Sequence, residues 1–166
     1  MAFLSRHPRP RAAVLVTAAA ILLPAAYAAA ASTGPVYKGY ITGEQPEGAV
    51  TLRLSASRGK VLSFSVRFDF GCFHVGAGYR SVKSQARVTI AHGKFSTSQT
   101  GTAPMPFVSP PEYGTYKATI SGKLTHDNHD LNGRFKYVLT KGQSVCFAAA
   151  NSAGKPTAIG YTTKEN

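Results

Sequence analysis

Between residues 62 and 72 the chain alternates without a break, with Leu62, Phe64, Val66, Phe68, Phe70 and Cys72 on the even positions and Ser63, Ser65, Arg67, Asp69 and Gly71 between them. A period of two held this long is that of a β-strand with one face in a core and the other in water. Burying the five apolar side chains ahead of the cysteine contributes roughly 7 to 15 kcal/mol, at about 1.5 to 3 each; this is an upper bound, because the unfolded chain already hides part of its surface. No other stretch keeps its period so long. The run also exceeds an ordinary strand, so Gly71 is expected to bend or bulge the chain just before Cys72.

Shorter segments repeat the pattern. Residues 36–42 read as a strand with Tyr37, Gly39 and Ile41 on one face, followed by a turn-rich loop. Val50, Leu52 and Leu54 form a hairpin with the long strand, and Gly59 is expected to supply the positive φ of the turn. Alternation fades between residues 73 and 85, which read as a connection. Val88 and Ile90, a His92-Gly93 turn and a return around Phe95 suggest a second hairpin. Tyr116, Ala118, Ile120, Gly122 and Leu124 form a strand that pairs with Phe135, Tyr137 and Leu139 across a loop at residues 125–133. Residues 144–148 are a short edge or crossing strand carrying Cys146, and residues 158–162 a last strand before a ragged tail. Such a run of short strands and turns predicts an all-β fold, an antiparallel β-sandwich or flattened barrel of about seven to nine strands.

The N-terminus has a different character. Arg6, Arg9 and Arg11 precede an uncharged, largely apolar run at residues 12–23, then Pro24 and small residues. This is the layout of a secretory signal peptide over residues 1–31, with its helical apolar segment, cut after Ala28 or Ala31. The apolar run falls short of the roughly 20 residues of a membrane span, so no anchor is expected in the mature form. Residues 32–166 then make one domain, secreted or otherwise extracytoplasmic. Without the three leader arginines it holds sixteen basic and seven acidic residues, a formal charge of +9. That charge favours anionic surfaces such as envelope polymers. The basic residues are nonetheless dispersed, which is also how a solvated surface looks.

Cys72 and Cys146 are the two cysteines. In an exported protein an even count favours a disulfide, and two cysteines allow one intramolecular pairing. Without CxxC spacing a metal pair is disfavoured, and His74 near Cys72 does not make a catalytic dyad.

Residues 98–114 contain four prolines together with Met105, Phe107 and Tyr113. Proline cannot donate to a sheet ladder, so the segment reads as a loop. Its apolar residues either form a binding lip, with Phe107 and Tyr113 as contacts, or cover the open end of the core. The polar faces of the two strands beyond it carry Lys117, Lys123, Arg134 and Lys136. If those strands pair, the four cations share one surface, which is the candidate basic patch.

Signatures of chemistry are scarce. From Asn128 the chain spells N-x-D-x-N-G, close to the opening of an EF-hand, but Leu139 occupies the position of the bidentate glutamate and strands flank the loop where helices belong. His126 and His129 lack an identifiable third ligand. Asn, Asp and Gly are equally what a tight strand connection wants, so neither a metal nor another cofactor is expected. Glu44 and Glu47 share one loop, and Asp69 stands alone on the wet face of its strand. No pair of carboxylates has the opposed placement of a glycosidase. Neither a GxSxG elbow nor an HExxH helix is present. Nucleic acid is disfavoured as a partner, because most aromatics fall on apolar strand faces instead of interleaving with basic residues.

In layout the chain resembles a loose class of small exported bacterial β-sandwich proteins with one cysteine pair. The resemblance is carried by VYKGYITG, by SRGKVLSFSVRF leading to Cys72, by IAHGKF and TISGKL, and by NGRFKYVLTKGQSVC ending at Cys146. In that class a glycine and a tryptophan often follow the second cysteine, whereas Phe147-Ala148 follow here and the chain has no tryptophan. The resemblance implies a fold and a location; it brings no activity and no site residues.

The function expected from these features is a non-catalytic secreted binding or structural protein that contacts an anionic envelope polymer through Lys117, Lys123, Arg134 and Lys136. The alternatives are a small secreted hydrolase of the envelope and a subunit that adds an exposed edge strand to a partner.

Overall fold

The computed structural model describes residues 34–44, 47–72, 76–85, 87–106, 108–125 and 127–166. The leader at residues 1–31, Phe107 and His126 lie outside them. The described residues form ten strands and no helix. In order these are β1 (Val36–Ile41), β2 (Ala49–Leu54), β3 (Lys60–Cys72), β4 (Gly76–Ser84), β5 (Val88–Thr89), β6 (Lys94–Pro104), β7 (Tyr113–Leu124), β8 (Asp130–Lys141), β9 (Ser144–Phe147) and β10 (Ile159–Glu165).

Six of them close a ring in the order β10-β1-β2-β3-β9-β8, with β8 returning to β10. Of the two architectures open from sequence, the closed one is present, and the strand count exceeds the expected seven to nine. β3 and β8 each give one edge to the ring and the other to a flap. β4 and β5 extend from β3, and β7 followed by β6 extends from β8.

The long alternating run lies at the centre. Phe64, Val66, Phe68 and Phe70 are buried, as the period requires. At its start the phase slips: Val61 is fully buried and Leu62 only half-buried. The cause is a bulge, since β2 advances one residue from Arg53 to Leu54 while β3 advances two, from Ser63 to Val61. An unpaired extra residue turns everything beyond it to the opposite face. The bulge is therefore at Leu62, and at Gly71 the pairing with β4 continues without a shift. The positive φ of the turn between β2 and β3 belongs to Arg58, at 55°, and not to Gly59.

Two segments read as connections are strands. β4 pairs with β3 over nine residues, and β6 continues to Pro104, so the proline-rich loop shrinks to residues 105–112. Neither segment alternates polar with apolar in sequence, because neither carries a continuous apolar face. β5 pairs with β3 and β6 with β7, so the expected second hairpin is reduced to the Ala91–Lys94 bridge. The chain does not end in a ragged tail either: β10 runs to Glu165, whose carboxylate accepts two hydrogen bonds from Arg58 at 2.8 and 2.9 Å.

Phe68 holds the two sides of the ring together, its ring centroid 4.8 Å from those of both Phe135 and Tyr137 on β8. Cys72 and Cys146, expected as a disulfide, are bonded and stand opposite each other on β3 and β9. That bond is compatible with an oxidising, extracytoplasmic compartment. Tyr161 on β10 is buried at another part of the ring, where β10 pairs with β8 at Gly133. It lies over Gly122 and Gly133, which face each other on β7 and β8, and donates to Ser121 O at 3.0 Å. Burial pushes its hydroxyl well above the ordinary pKa.

That hollow is a requirement on sequence. A Cβ on Gly133 would stand 1.9 Å from Ser121 O and 2.7 Å from Tyr161 Cζ, whereas one on Gly71 would meet nothing within 4 Å. Gly133→Ala is expected to cost about 3 kcal/mol and Gly71→Ala less than about 0.5 kcal/mol, measured by urea unfolding.

Candidate functional site

The candidate patch is built by two registers. Pairing of β7 with β8 sets Lys123 opposite Asn132, Ser121 opposite Arg134, Thr119 opposite Lys136 and Lys117 opposite Val138. Inner residues of these strands, Ala118, Ile120, Phe135, Tyr137 and Leu139, are buried, so the alternate residues all face outward. The four cations named from sequence are thus brought to one face, in four successive rows.

β6 adds what sequence did not indicate. Its outward residues Lys94, Ser96, Ser98, Thr100 and Thr102 stand opposite Lys123, Ser121, Thr119, Lys117 and Thr115. Lys94 therefore joins the patch, directly across from Lys123. Like charges so placed destabilise a strand pair, and an anion between them would relieve the repulsion. The signal was missed because it lies in a register, not in spacing along the chain. A shallow groove of about 540 Å³ crosses the same face, lined by Thr100, Thr115, Lys117, Thr119, Lys136 and Thr140 among others.

All seven carboxylates of the chain are among the described residues. Ion pairs among the described residues join Arg58 to Glu165 and Lys141 to Glu112, and His129 Nδ1 lies 3.6 Å from Glu165 Oε2. None neutralises Lys94, Lys117, Lys123, Arg134 or Lys136. Tyr113, expected as a contact, is 62% exposed at the start of β7, on the same outward set of positions. Met105 is buried and belongs to the core, which removes it from the proposed lip.

The connection between β7 and β8 is occupied by turn chemistry. Asp127 accepts from the Thr125 hydroxyl and the His129 amide, which holds its carboxyl below the usual range. Asn128 takes the positive φ, at 60°, and its carbonyl accepts from the buried Tyr37 hydroxyl. Asn132 and Gly133, read as part of the loop, lie within β8.

A second polar group sits where β4 approaches β6. The Arg80 guanidinium lies 5.0 Å over the Phe70 ring and donates to Pro104 O at 2.7 Å and to the Tyr137 hydroxyl at 3.4 Å. Tyr137 stacks on Tyr116, whose hydroxyl accepts from Gln99 Nε2 at 2.9 Å. This chain of contacts straps one flap to the other.

Two carboxylates that sequence kept apart are brought together. Glu44 Oε2 accepts from the Asp69 amide at 2.9 Å, and partial burial, reinforced by the Asp69 charge, raises the Glu44 pKa above its ordinary value. Here the carboxylate pins the β1–β2 loop to β3. A carboxyl whose folded pKa is raised disfavours folding once the pH rises through that pKa, and costs nothing below the unfolded value. Glu44→Gln keeps an acceptor and loses the charge. Its thermal midpoint is expected to exceed that of the parent at pH 7 and to match it below about pH 4, as read by circular dichroism.

Comparison of the chain with family models, with curated proteins and with solved structures finds no match.

Proposed function

We propose that this is a non-catalytic exported protein that holds an anionic polymer of the cell envelope against the outer face of β6, β7 and β8. The observation that carries the reading is the Lys94–Lys123 pair, two cations placed opposite each other with no carboxylate paired to either. Lys117, Arg134 and Lys136 extend that charge down the strands. The serine and threonine hydroxyls between them supply neutral donors for oxyanions. A rigid sheet carries all of these side chains, so little backbone ordering is lost on binding.

Export accounts for the disulfide and for the basic, proline-broken leader. The hydrolase alternative is less favoured, because Glu44 and Asp69, joined by a hydrogen bond, sit away from the groove, on the loop after β1 and on β3.

Binding of this kind weakens with salt, because raising ionic strength from about 50 to about 500 mM shortens the screening length roughly threefold. The protein is expected to stay on a polyphosphate or polycarboxylate column at the lower salt and to elute at the higher. Reversal of Lys117, Lys123, Arg134 and Lys136 to glutamate abolishes retention, while reversal of Lys38, Lys60, Lys83 and Lys155 leaves most of it. Equal loss from both sets would show that net charge alone is responsible.

A further inference from the structure

We infer that the chain forms a dimer through the free edge of β6, paired antiparallel with β6 of a second copy about a two-fold axis at Gln99. This interface stands independently of the polymer-binding reading.

β6 is the last strand of the sheet order, hydrogen-bonded to β7 on one side. The register between them runs from Lys94–Lys123 to Pro104–Tyr113 without a shift. The Leu124 amide donates to Gly93 O and the Met105 amide to Glu112 O. Odd-numbered residues of β6 therefore point their N–H and C=O at β7, and even-numbered ones point theirs away. Both ends of the outward edge are already closed. Lys94 exchanges two hydrogen bonds with Ala91, and Pro104, which has no N–H, gives its carbonyl to Arg80. Ser96, Ser98, Thr100 and Thr102 remain. All four are exposed, and among the described residues nothing bonds to their backbone. Natural edge strands are commonly blunted by a mid-strand charge, a proline or a bulge; residues 95–103 have none of these.

The midpoint of the open segment is Gln99. A two-fold axis there sets Ser96 opposite Thr102 and Ser98 opposite Thr100 of the second copy. All four such pairs are of the doubly hydrogen-bonded kind, so every free N–H finds a C=O. Moving the axis to Ser98 drives Thr102 against Lys94, already closed by Ala91. Moving it to Thr100 drives Ser96 against the amide-less Pro104. Any shift by a single residue mismatches the parity. The central register also brings Lys94 opposite Pro104, avoiding like charges, and Phe95 opposite Ala103 on the inner face.

A second, separate observation sits on the axis. Gln99 Oε1 is buried and unpartnered, while Nε2 donates one hydrogen to Tyr116. Across the two-fold, once the side chain turns toward the edge and exposes the buried oxygen, each amide can give a hydrogen to the other copy's Oε1. The outer faces of the two copies then form one six-stranded surface. A contact of one strand's length is at the small end of specific interfaces, so the dimer is concentration-dependent.

Sedimentation velocity from about 1 to about 100 µM is expected to show monomer giving way to dimer. Ser98→Pro removes an N–H that β7 does not use and that an edge strand can lose. It raises the dissociation constant at least about tenfold with an unchanged circular dichroism spectrum. S98K with T100K, which sets lysines against each other across the axis, does the same without a proline. Gln99→Cys, whose Cα atoms would meet at about 4.5 Å, links covalently under mild oxidation, whereas Thr97→Cys, about 13 Å from its mate, does not. A monomer at every concentration, a dimer indifferent to both edge variants, or equal cross-linking of the two cysteine variants overturns the inference.

Discussion

The ring closes where it is thinnest. Between β3 and β9 the register has two pairs, Gly71–Phe147 and Cys72–Cys146, and one of these is the disulfide. Other ladders of the ring, such as β1–β2 or β8–β10, have five or six. A two-pair ladder of four backbone groups contributes little by itself against the entropy of closing the 74-residue separation between the cysteines. Covalent closure removes much of that entropy from the unfolded state, on the order of 4 kcal/mol in the chain-entropy model. The rest of the architecture hangs on this join. It sets β8 against β3, which brings Phe135 and Tyr137 onto Phe68, and β8 in turn carries the flap on which the basic face is built.

The basic face is thus a consequence of the core. Burying Ala118, Ile120, Phe135, Tyr137 and Leu139 obliges the alternate residues to face outward, and from Thr115 to Lys123 and from Arg134 to Thr140 these are lysine, arginine, serine and threonine, with Val138 the exception. Geometry that is rigid because its reverse side is packed can present charges at fixed spacing. The same rigidity leaves the far strand, β6, with an ordered and unpaired edge. The proposed binding face and the proposed docking edge meet at the Ser96 to Thr102 positions, whose side chains would serve the first and whose backbone would serve the second.

Alternation made part of this legible. β1, β2, β7 and β8 have one buried face each, and period two identified their inward residues and, by exclusion, Lys117, Lys123, Arg134 and Lys136. Where a strand lacks a continuous apolar face the pattern fails. The Ser-Thr-Ser-Gln-Thr-Gly sequence of β6 and the Gly-Ala-Gly-Tyr-Arg-Ser sequence of β4 hold their strands through backbone pairing with a neighbour, and no local period reports that. The bulge at Leu62 was illegible for a related reason, being a mismatch between two strands. The Lys94–Lys123 opposition and the closed ends of the β6 edge also exist only once register is known. Arg58 at positive φ is held by its ion pair to Glu165, a partner 107 residues away.

Hydrogen exchange on the oxidised protein and on a Cys72→Ala/Cys146→Ala variant tests the central claim most directly, because it reads each ladder separately. If the disulfide secures the thin join, its loss removes protection first at residues 71–72 and 144–147 and lowers the most protected amides by about 4 kcal/mol, with the β7–β8 ladder the last to open. Unchanged protection at β9, or a loss that begins between β7 and β8, would contradict the account.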